Sequence, residues 1–198
     1  MIYSMLDSKS DEEVLIFHKD NKQEALKIIV SRYTSPLYNF TARLANKNDA
    51  PDIVQEVFIK IWKNIDNFDQ SKASFKTWIF TIAKNTTTDY LRKKRSLLFS
   101  DVSTDEENIN SFAENIESEE LLPDEVIEKL EDAEVLNKTL EKLRLDYREV
   151  LILHYQEEMT FEEIGKILDK PLNTIKSQHR RALIELRRIL TPSSPPPY

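Results

Sequence analysis

The sequence has no cysteine, which excludes disulfides and thiolate metal sites. It has one glycine, Gly165, where average usage near 7% would give roughly 14. Tight β-hairpins and glycine-rich phosphate loops both depend on that residue. Its scarcity predicts an all-α fold and argues against nucleotide sites of the P-loop or Rossmann kind. Histidine is sparse too: His18, His154 and His179 lie far apart, with no metal-ligand spacing such as HExxH, so no metal and no cofactor is expected. No apolar run approaches the roughly 18 residues of a membrane span, and "MIYSMLDSKSDEE" lacks a basic segment followed by an apolar one. A cytoplasmic protein without membrane insertion is the expectation. No constellation of nucleophile, base and metal ligand is visible, so an enzyme is not expected.

Positive charge also looks scarce, since the net charge is −7. The distribution changes that reading. From Ser100 to Glu134 there are fourteen acids and one base, a net of −13 that leaves +6 on the remainder. An acidic connector thus separates two mildly basic segments.

Both segments read as helices. Asp11 to Phe17, Gln23 to Tyr33 and Pro36 to Leu44 carry apolar residues at helical spacing, with Pro36 suited to a first turn. In "NDAPDIVQEVFIKIWKNID", Asp49 is a candidate N-cap, and Ile53, Val57, Phe58, Ile61, Trp62 and Ile65 form an apolar face. After the loop "NFDQSKAS", Phe75, Ile79, Ile82, Thr86 and Tyr90 share one side of a helix that ends in a basic cluster, Arg92 to Arg95. Large aromatics at helical spacing are usually buried, so Trp62, Phe75 and Trp78 read as core. The acidic stretch from Ser100 to Leu122 reads as a mobile linker, Pro123 to about Leu143 as helical, and "TPSSPPPY" as a disordered tail.

Residues 160–190 carry the sharpest local signal. Thr160 and Glu163 make a capping-box pattern, with Phe161, Ile164 and Leu168 apolar behind it. "DKPL" breaks the helix, and Asn173 or Thr174 can cap the next. There Ile175, His179, Ala182, Leu183, Leu186 and Ile189 face inward, while Lys176, Ser177, Arg180, Arg181, Arg187 and Arg188 lie opposite. Two helices joined by a four-residue turn fit a helix-turn-helix, whose second helix enters the major groove. Gly165 is placed for a close helix crossing. Pattern alone does not separate this reading from a helical hairpin whose basic face is merely solvated. His179 reads as packed at the core edge rather than as a base reader.

"TFEEIGKILDKPLNTIKSQHRRALIELRRIL" resembles region 4 of bacterial sigma factors of the extracytoplasmic-function (ECF) group. "DAPDIVQEVFIKIWKNIDNFDQSKASFKTWIFTIAKNTTTDYLRKKR" resembles their region 2, and the two occur in the family's order. Gly165 stands where the family usually has alanine, Asn173 replaces the glycine before "TVKS", and Asp169 stands where glycine often ends the preceding helix.

The resemblance implies two helical domains joined by an acidic linker: region 2 over 1–99, a linker over 100–133 with a partly helical end, region 4 over 134–190, and a disordered tail over 191–198. It implies a transcription initiation factor that binds core RNA polymerase, directs it to particular promoter DNA and helps open the duplex. A cognate anti-sigma factor and a monomeric free state are further implications. Residue by residue, it implies polymerase contacts at Asp52, Gln55 and Glu56. Minus-ten contacts fall on Phe68 with the loop Asp69 to Ser74, and on Lys84, Asn85, Arg92, Lys93 and Arg95. Asn85 would hold a base flipped from the stack, and the cations would hold phosphates. Minus thirty-five contacts fall on Lys176, Ser177, Arg180 and Arg181. Tyr147 and Arg148 are weaker candidates for backbone contacts. The rival reading is a stand-alone helix-turn-helix regulator, which predicts dimers on palindromic sites and leaves the first segment unexplained.

Overall fold

The structure, a computed structural model, describes residues 9–98 and 133–190. Among them there are eight α-helices, one 3-10 turn and no strand, an all-α architecture as composition predicts. The expected tail, and the expected linker apart from its last residue, fall outside the described residues, as do Pro123 to Asp132 of the helical stretch expected there.

α1 (Asp11–His18) opens on a capping box: Ser10 Oγ accepts from Glu13 N at 3.2 Å, and Glu13 Oε2 accepts from Ser10 N at 2.8 Å. It lies on α2 (Lys22–Leu44), tied by an Arg32–Asp11 ion pair of 2.8 Å and by Tyr33, whose hydroxyl donates to the Asp11 carboxylate. The sequence reading splits α2 at Pro36; the structure keeps one helix through it. Proline inside a helix costs about 3 kcal/mol. Here the buried stripe continues in phase from Ala25, Ile28, Ile29 and Tyr33 to Leu37, Phe40 and Leu44. Each large side chain buried along that stripe contributes about 1.5–3 kcal/mol, so packing outweighs the missing hydrogen bond.

α3 (Ala50–Asn64) begins with Pro51 in its first turn, but Asp49 is not its side-chain cap. Asn46 Oδ1 instead accepts from Asn48 N and Asp49 N, both at 2.9 Å. That frees the Asp49 carboxylate to meet Lys94 at 2.5 Å, which ties the start of α3 to the far end of α4 (Phe75–Leu98). That bond, with a second donated by Asn46 Nδ2 at 2.6 Å, holds the Asp49 carboxyl below its usual range. A 3-10 turn (Ile65–Asn67) and a loop separate α3 from α4. α4 buries more than one stripe: Phe80, Ala83 and Thr87 join Phe75, Ile79 and Thr86. It packs on α3 and α2, and on its other side against the C-terminal helices.

These are α5 (Ala133–Lys142), α6 (Leu145–Tyr155), α7 (Phe161–Leu168) and α8 (Leu172–Leu190). α6 is buried almost all round, with Tyr147, Glu149, Val150, Leu151, Ile152 and Leu153 enclosed between α8, α7 and α2. Tyr147 is therefore not a surface group that reaches toward a DNA backbone, and the partly exposed Arg148 has its guanidinium committed to neighbouring carbonyls. Arg148 donates to Glu141 O (2.9 Å) and Leu143 O (3.1 Å) at the end of α5, and to Arg43 O (2.9 Å) at the end of α2. A cation is favoured there because carbonyls at helix C-termini lack intrahelical donors.

The capping box at α7 forms as its sequence predicts: Thr160 Oγ1 accepts from Glu163 N at 3.3 Å, and Glu163 Oε2 accepts from Thr160 N at 3.0 Å. Asp169 ends α7 in the left-handed conformation, φ 53°. Lys170 N then bonds back to Gly165 O at 2.9 Å. A Cβ on Gly165 would stand 2.9 Å from Lys170 O, so it is the turn's backbone that demands glycine at this position. α8 starts earlier than Asn173 or Thr174 capping would imply. Thr174 N and Ile175 N bond to Pro171 O at 2.9 and 3.1 Å, so both expected caps lie inside the first turn.

Candidate nucleic-acid interface

The inward side of α8 sets its outward side. Ile175, Ala182, Leu186 and Leu190 are buried, which leaves Lys176, Ser177 and Arg181 exposed on one stripe with Ile184 and Arg188. Arg180 differs: it is half-buried, and one guanidinium nitrogen is enclosed without a hydrogen-bond partner. Arg181, by contrast, is exposed. His179 sits at the core edge, stacked 5.6 Å from Tyr155, 5.0 Å from Phe161 and edge-on to His154 at 5.2 Å. Its Nε2 lies 3.1 Å from the Tyr155 hydroxyl. Burial, then the neighbouring His154 charge, lowers its pKa to about 4, so it is neutral near pH 7.

The second group of expected contacts lies on α4 and the loop before it. Phe68 packs 5.3 Å from Phe75 and 5.3 Å from Trp78, with Tyr33 behind at 6.1 Å from Phe75. It roots the loop while staying partly exposed. The loop holds its own shape: Asp69 Oδ1 accepts from Ser71 N (3.0 Å) and Ser71 Oγ (2.7 Å), which lowers the Asp69 pKa. Ser74 Oγ accepts from Thr77 N at 3.2 Å, an N-cap that starts α4. Along α4, Asn85, Arg92, Lys93 and Arg95 are exposed and Lys84 is half-exposed. Arg92 pairs with Asp89 at 2.9 Å. Lys94 is committed to Asp49, leaving its neighbours as the outward cations.

The third group, Asp52, Gln55 and Glu56, is exposed on one face of α3. Glu56 pairs with Lys60 at 3.0 Å, and Lys60 reaches Thr86 on α4 at 3.1 Å. The stripe continues to Ile59 (46% exposed) and Trp62 (40% exposed), which the sequence reading missed. Trp62 is not core: Phe75 is buried and Trp78 partly so, but Trp62 lies on the outer side of its helix. The signal was present as i, i+3, i+4, i+7 continuation from Asp52, Gln55 and Glu56. It was masked because Trp62, like Phe75 and Trp78, reads as core from its helical spacing.

The two helical groups meet at the end of the loop and the first turn of α4. Lys76 on α4 donates to Glu157 O at 2.5 Å and pairs with the Glu157 carboxylate at 3.5 Å. Ser74 Oγ and Thr77 Oγ1 each reach Glu163 Oε1 at 3.4 Å, and Lys166 Nζ donates to Lys72 O at 2.9 Å. Glu157 and Glu149 are buried, and desolvation raises both pKa values against the opposing charges of Lys76 and Lys84 respectively. Among the described residues there is no cluster that would hold a metal ion and no helix long and apolar enough to cross a membrane.

Comparison with known proteins places the chain in a family. Residues 29–97 match the model of Sigma-70 region 2, and residues 133–186 that of Sigma-70, region 4. The chain is 34% identical over 173 residues to the ECF RNA polymerase sigma factor SigW of Bacillus subtilis (strain 168), spanning 87% of this chain and 92% of that one. It is 31% identical over 184 residues to the ECF RNA polymerase sigma-E factor of Escherichia coli (strain K12), spanning 90% and 93%. Among solved structures, the sigma factor RpoE of Bartonella quintana, in complex with the anti-sigma factor NepR, superposes with a TM-score of 0.63 at 28% identity over 89% of this chain and 99% of that one. CnrH, in complex with the cytosolic domain of CnrY, shares the fold with a TM-score of 0.65 at 22% identity, over 94% and 100%. A stand-alone regulator would need only the second matched segment; with both present in order, and relatives similar along nearly their whole length, the chain belongs to the family of ECF RNA polymerase sigma factors.

Proposed function

We propose that this sigma factor binds core RNA polymerase through the exposed face of α3 and reads promoters in two parts. Asp52, Gln55 and Glu56 supply the polar rim of the polymerase contact. Ile59 and Trp62 continue it as apolar anchors, since exposed aromatics beside charged residues are favoured at interfaces. On α4 and its loop, Asn85 supplies amide donors and acceptors for a base drawn from the minus-ten strand. Phe68 roots the loop beside that base, and Lys84, Arg92, Lys93 and Arg95 hold phosphates. On α8, Lys176, Ser177 and Arg181 meet the minus thirty-five base edges, with Arg180 behind them.

The domains are region 2 over 1–99 and region 4 over 134–190, joined by the acidic linker. The protein acts in the cytoplasm, is not itself a catalyst and requires no cofactor. A cognate anti-sigma factor holds it in check, a reading supported by the partner named for the Bartonella quintana relative. The observation that carries this function is the pairing, in one chain and in family order, of an exposed amide-and-cation face on α4 with an exposed basic stripe on α8.

Run-off transcription tests it. Purified chain added to core polymerase should give discrete, promoter-dependent transcripts from a genomic template library, and core polymerase alone should not. Sequence-specific duplex binding by a dimer without polymerase, with no transcripts, would select the regulator instead.

A further inference from the structure

Two residues of the C-terminal helices stand beside the reading stripe without belonging to it, and they touch each other. Tyr155, the last residue of α6, is 56% exposed. Its ring stacks on His179 of α8 at 5.6 Å with 30° between the planes, and its hydroxyl lies 3.1 Å from His179 Nε2. Beneath the pair, Phe161 at the start of α7 packs 5.0 Å from His179 and 4.6 Å from His154. His154 is engaged elsewhere, with Nδ1 3.0 Å from Met159 O. The four rings fill the corner where the end of α6, the start of α7 and the N-terminal half of α8 come together. Tyr155 is the exposed member.

That corner borders the groove. In a helix-turn-helix the second helix enters the major groove by its N-terminal part, and the first crosses the backbone. His179 lies three residues after Lys176, on the same side of α8, so Tyr155 flanks that edge of the stripe from a different helix. A polar group at the groove's edge, off the recognition helix, meets phosphate rather than base edges. The chemistry of the pair fits. Burial holds the Tyr155 pKa above its usual range and the His179 pKa at about 4, so both are neutral at pH 7. A neutral imidazole carries one N–H, and a phenol both accepts and donates. With the proton on Nε2, His179 donates to the Tyr155 oxygen, and the phenol proton is free to point outward. With it on Nδ1, the phenol donates inward and turns its lone pairs outward, which repels an anion. A phosphate outside therefore selects the first arrangement, with no proton gained or lost.

Resting on the sigma-factor reading, we propose that Tyr155 is a neutral phosphate contact beside the minus thirty-five element, with His179 as its positioning residue, donating Nε2–H to the phenol oxygen. The contact carries no base information. It fixes the seat of α8 in the groove, so that Lys176, Ser177 and Arg181 meet their base edges in register. A phenol, unlike lysine or arginine, releases no counterion, so it adds affinity without adding salt dependence.

Full-length chain assembled with saturating core polymerase tests this, on a promoter fragment recovered by run-off transcription and across a salt series. Tyr155→Phe keeps the ring and removes only the hydroxyl. It should weaken promoter binding about fivefold, the size of one net hydrogen bond. The loss should be equal on fragments with different minus thirty-five base pairs, and the slope of log affinity against log salt should not change. His179→Phe should lose a similar amount. The double variant Tyr155→Phe with His179→Phe should lose no more than either alone, because one residue acts through the other. His179→Gln, whose amide nitrogen can donate where Nε2 does, should regain most of the affinity, which a packing defect would not do. Unchanged binding in Tyr155→Phe would overturn the contact. A loss confined to particular base pairs, or one with a shallower salt slope, would overturn the phosphate assignment. Additive losses, or equal losses in His179→Gln and His179→Phe, would overturn the positioning role of His179. No promoter-dependent transcript from the unmodified chain would overturn the sigma-factor reading itself, and this inference with it.

Discussion

Replacing Arg148 tests how the two helical groups are held. Its guanidinium closes the C-terminal ends of α5 and α2 at once, through bonds of 2.9, 3.1 and 2.9 Å to Glu141 O, Leu143 O and Arg43 O. Hydrogen bonds from a charged donor contribute about 1.5–3 kcal/mol each. Two effects reduce that sum. Burial lowers the Arg148 pKa, a sign that enclosing the charge is costly, and its Nε is enclosed without a partner. Water can also reach some of the carbonyls once the side chain is gone. A net loss of about 2–4 kcal/mol is therefore expected for Arg148→Ala, the range for breaking a buried polar cluster. Arg148→Lys keeps the charge but not the planar fork, and should lose about half as much. Urea denaturation followed by circular dichroism measures both. The bond to Arg43 O adds a second expectation: in Arg148→Ala the transition should broaden as the two groups uncouple. A loss below about 0.5 kcal/mol with an unchanged slope would refute the reasoning, since an exposed arginine gives that result.

Four further expectations concern single positions. Asp169→Gly removes a non-glycine residue from the left-handed region and should stabilise the chain by about 1 kcal/mol. Gly165→Ala should destabilise it despite the roughly 1 kcal/mol gained in helix propensity, because the new Cβ meets Lys170 O at 2.9 Å; a rise in melting midpoint would show that the turn yields freely. Asn85→Ala should reduce open-complex yield, read by permanganate reactivity, while leaving polymerase affinity within about twofold, since Asn85 is exposed on α4 away from the outward face of α3; unchanged opening would remove it from the reading site. For His179, a folded pKa of about 4 lies below the unfolded value of 6.5. The unfolded chain therefore binds the proton first. Stability from this residue is complete above pH 6.5 and declines as pH falls toward 4, by up to about 3 kcal/mol before solvent screening. The difference between the unmodified chain and His179→Gln isolates it from the opposing Glu149 and Glu157, and a pH-independent difference would refute it.

Features decided within a few residues were legible in the sequence. Thr160 and Glu163 form their reciprocal cap because both partners lie in one turn of helix. The stripe of Lys176, Ser177 and Arg181 follows from where Ile175, Ala182 and Leu186 must point. The scarcity of glycine excluded hairpins, and motif order identified the family. Where several elements compete for one residue, local reading failed. Pro36 stays helical because the buried face of α2 runs through it, and Asp49 leaves its cap to bind Lys94, forty-five residues away. Trp62 is exposed because α3 spends its inward positions on Ile53, Val57 and Ile61, while Arg148 is drawn inward by carbonyls from two different helices. The meeting of Glu157 and Glu163 with α4 belongs to the same class. Helical periodicity tells each segment which side is apolar, and so determines the elements and their reading faces. Which faces meet depends on contacts between residues some eighty positions apart in the chain, and only the tertiary structure brings those together.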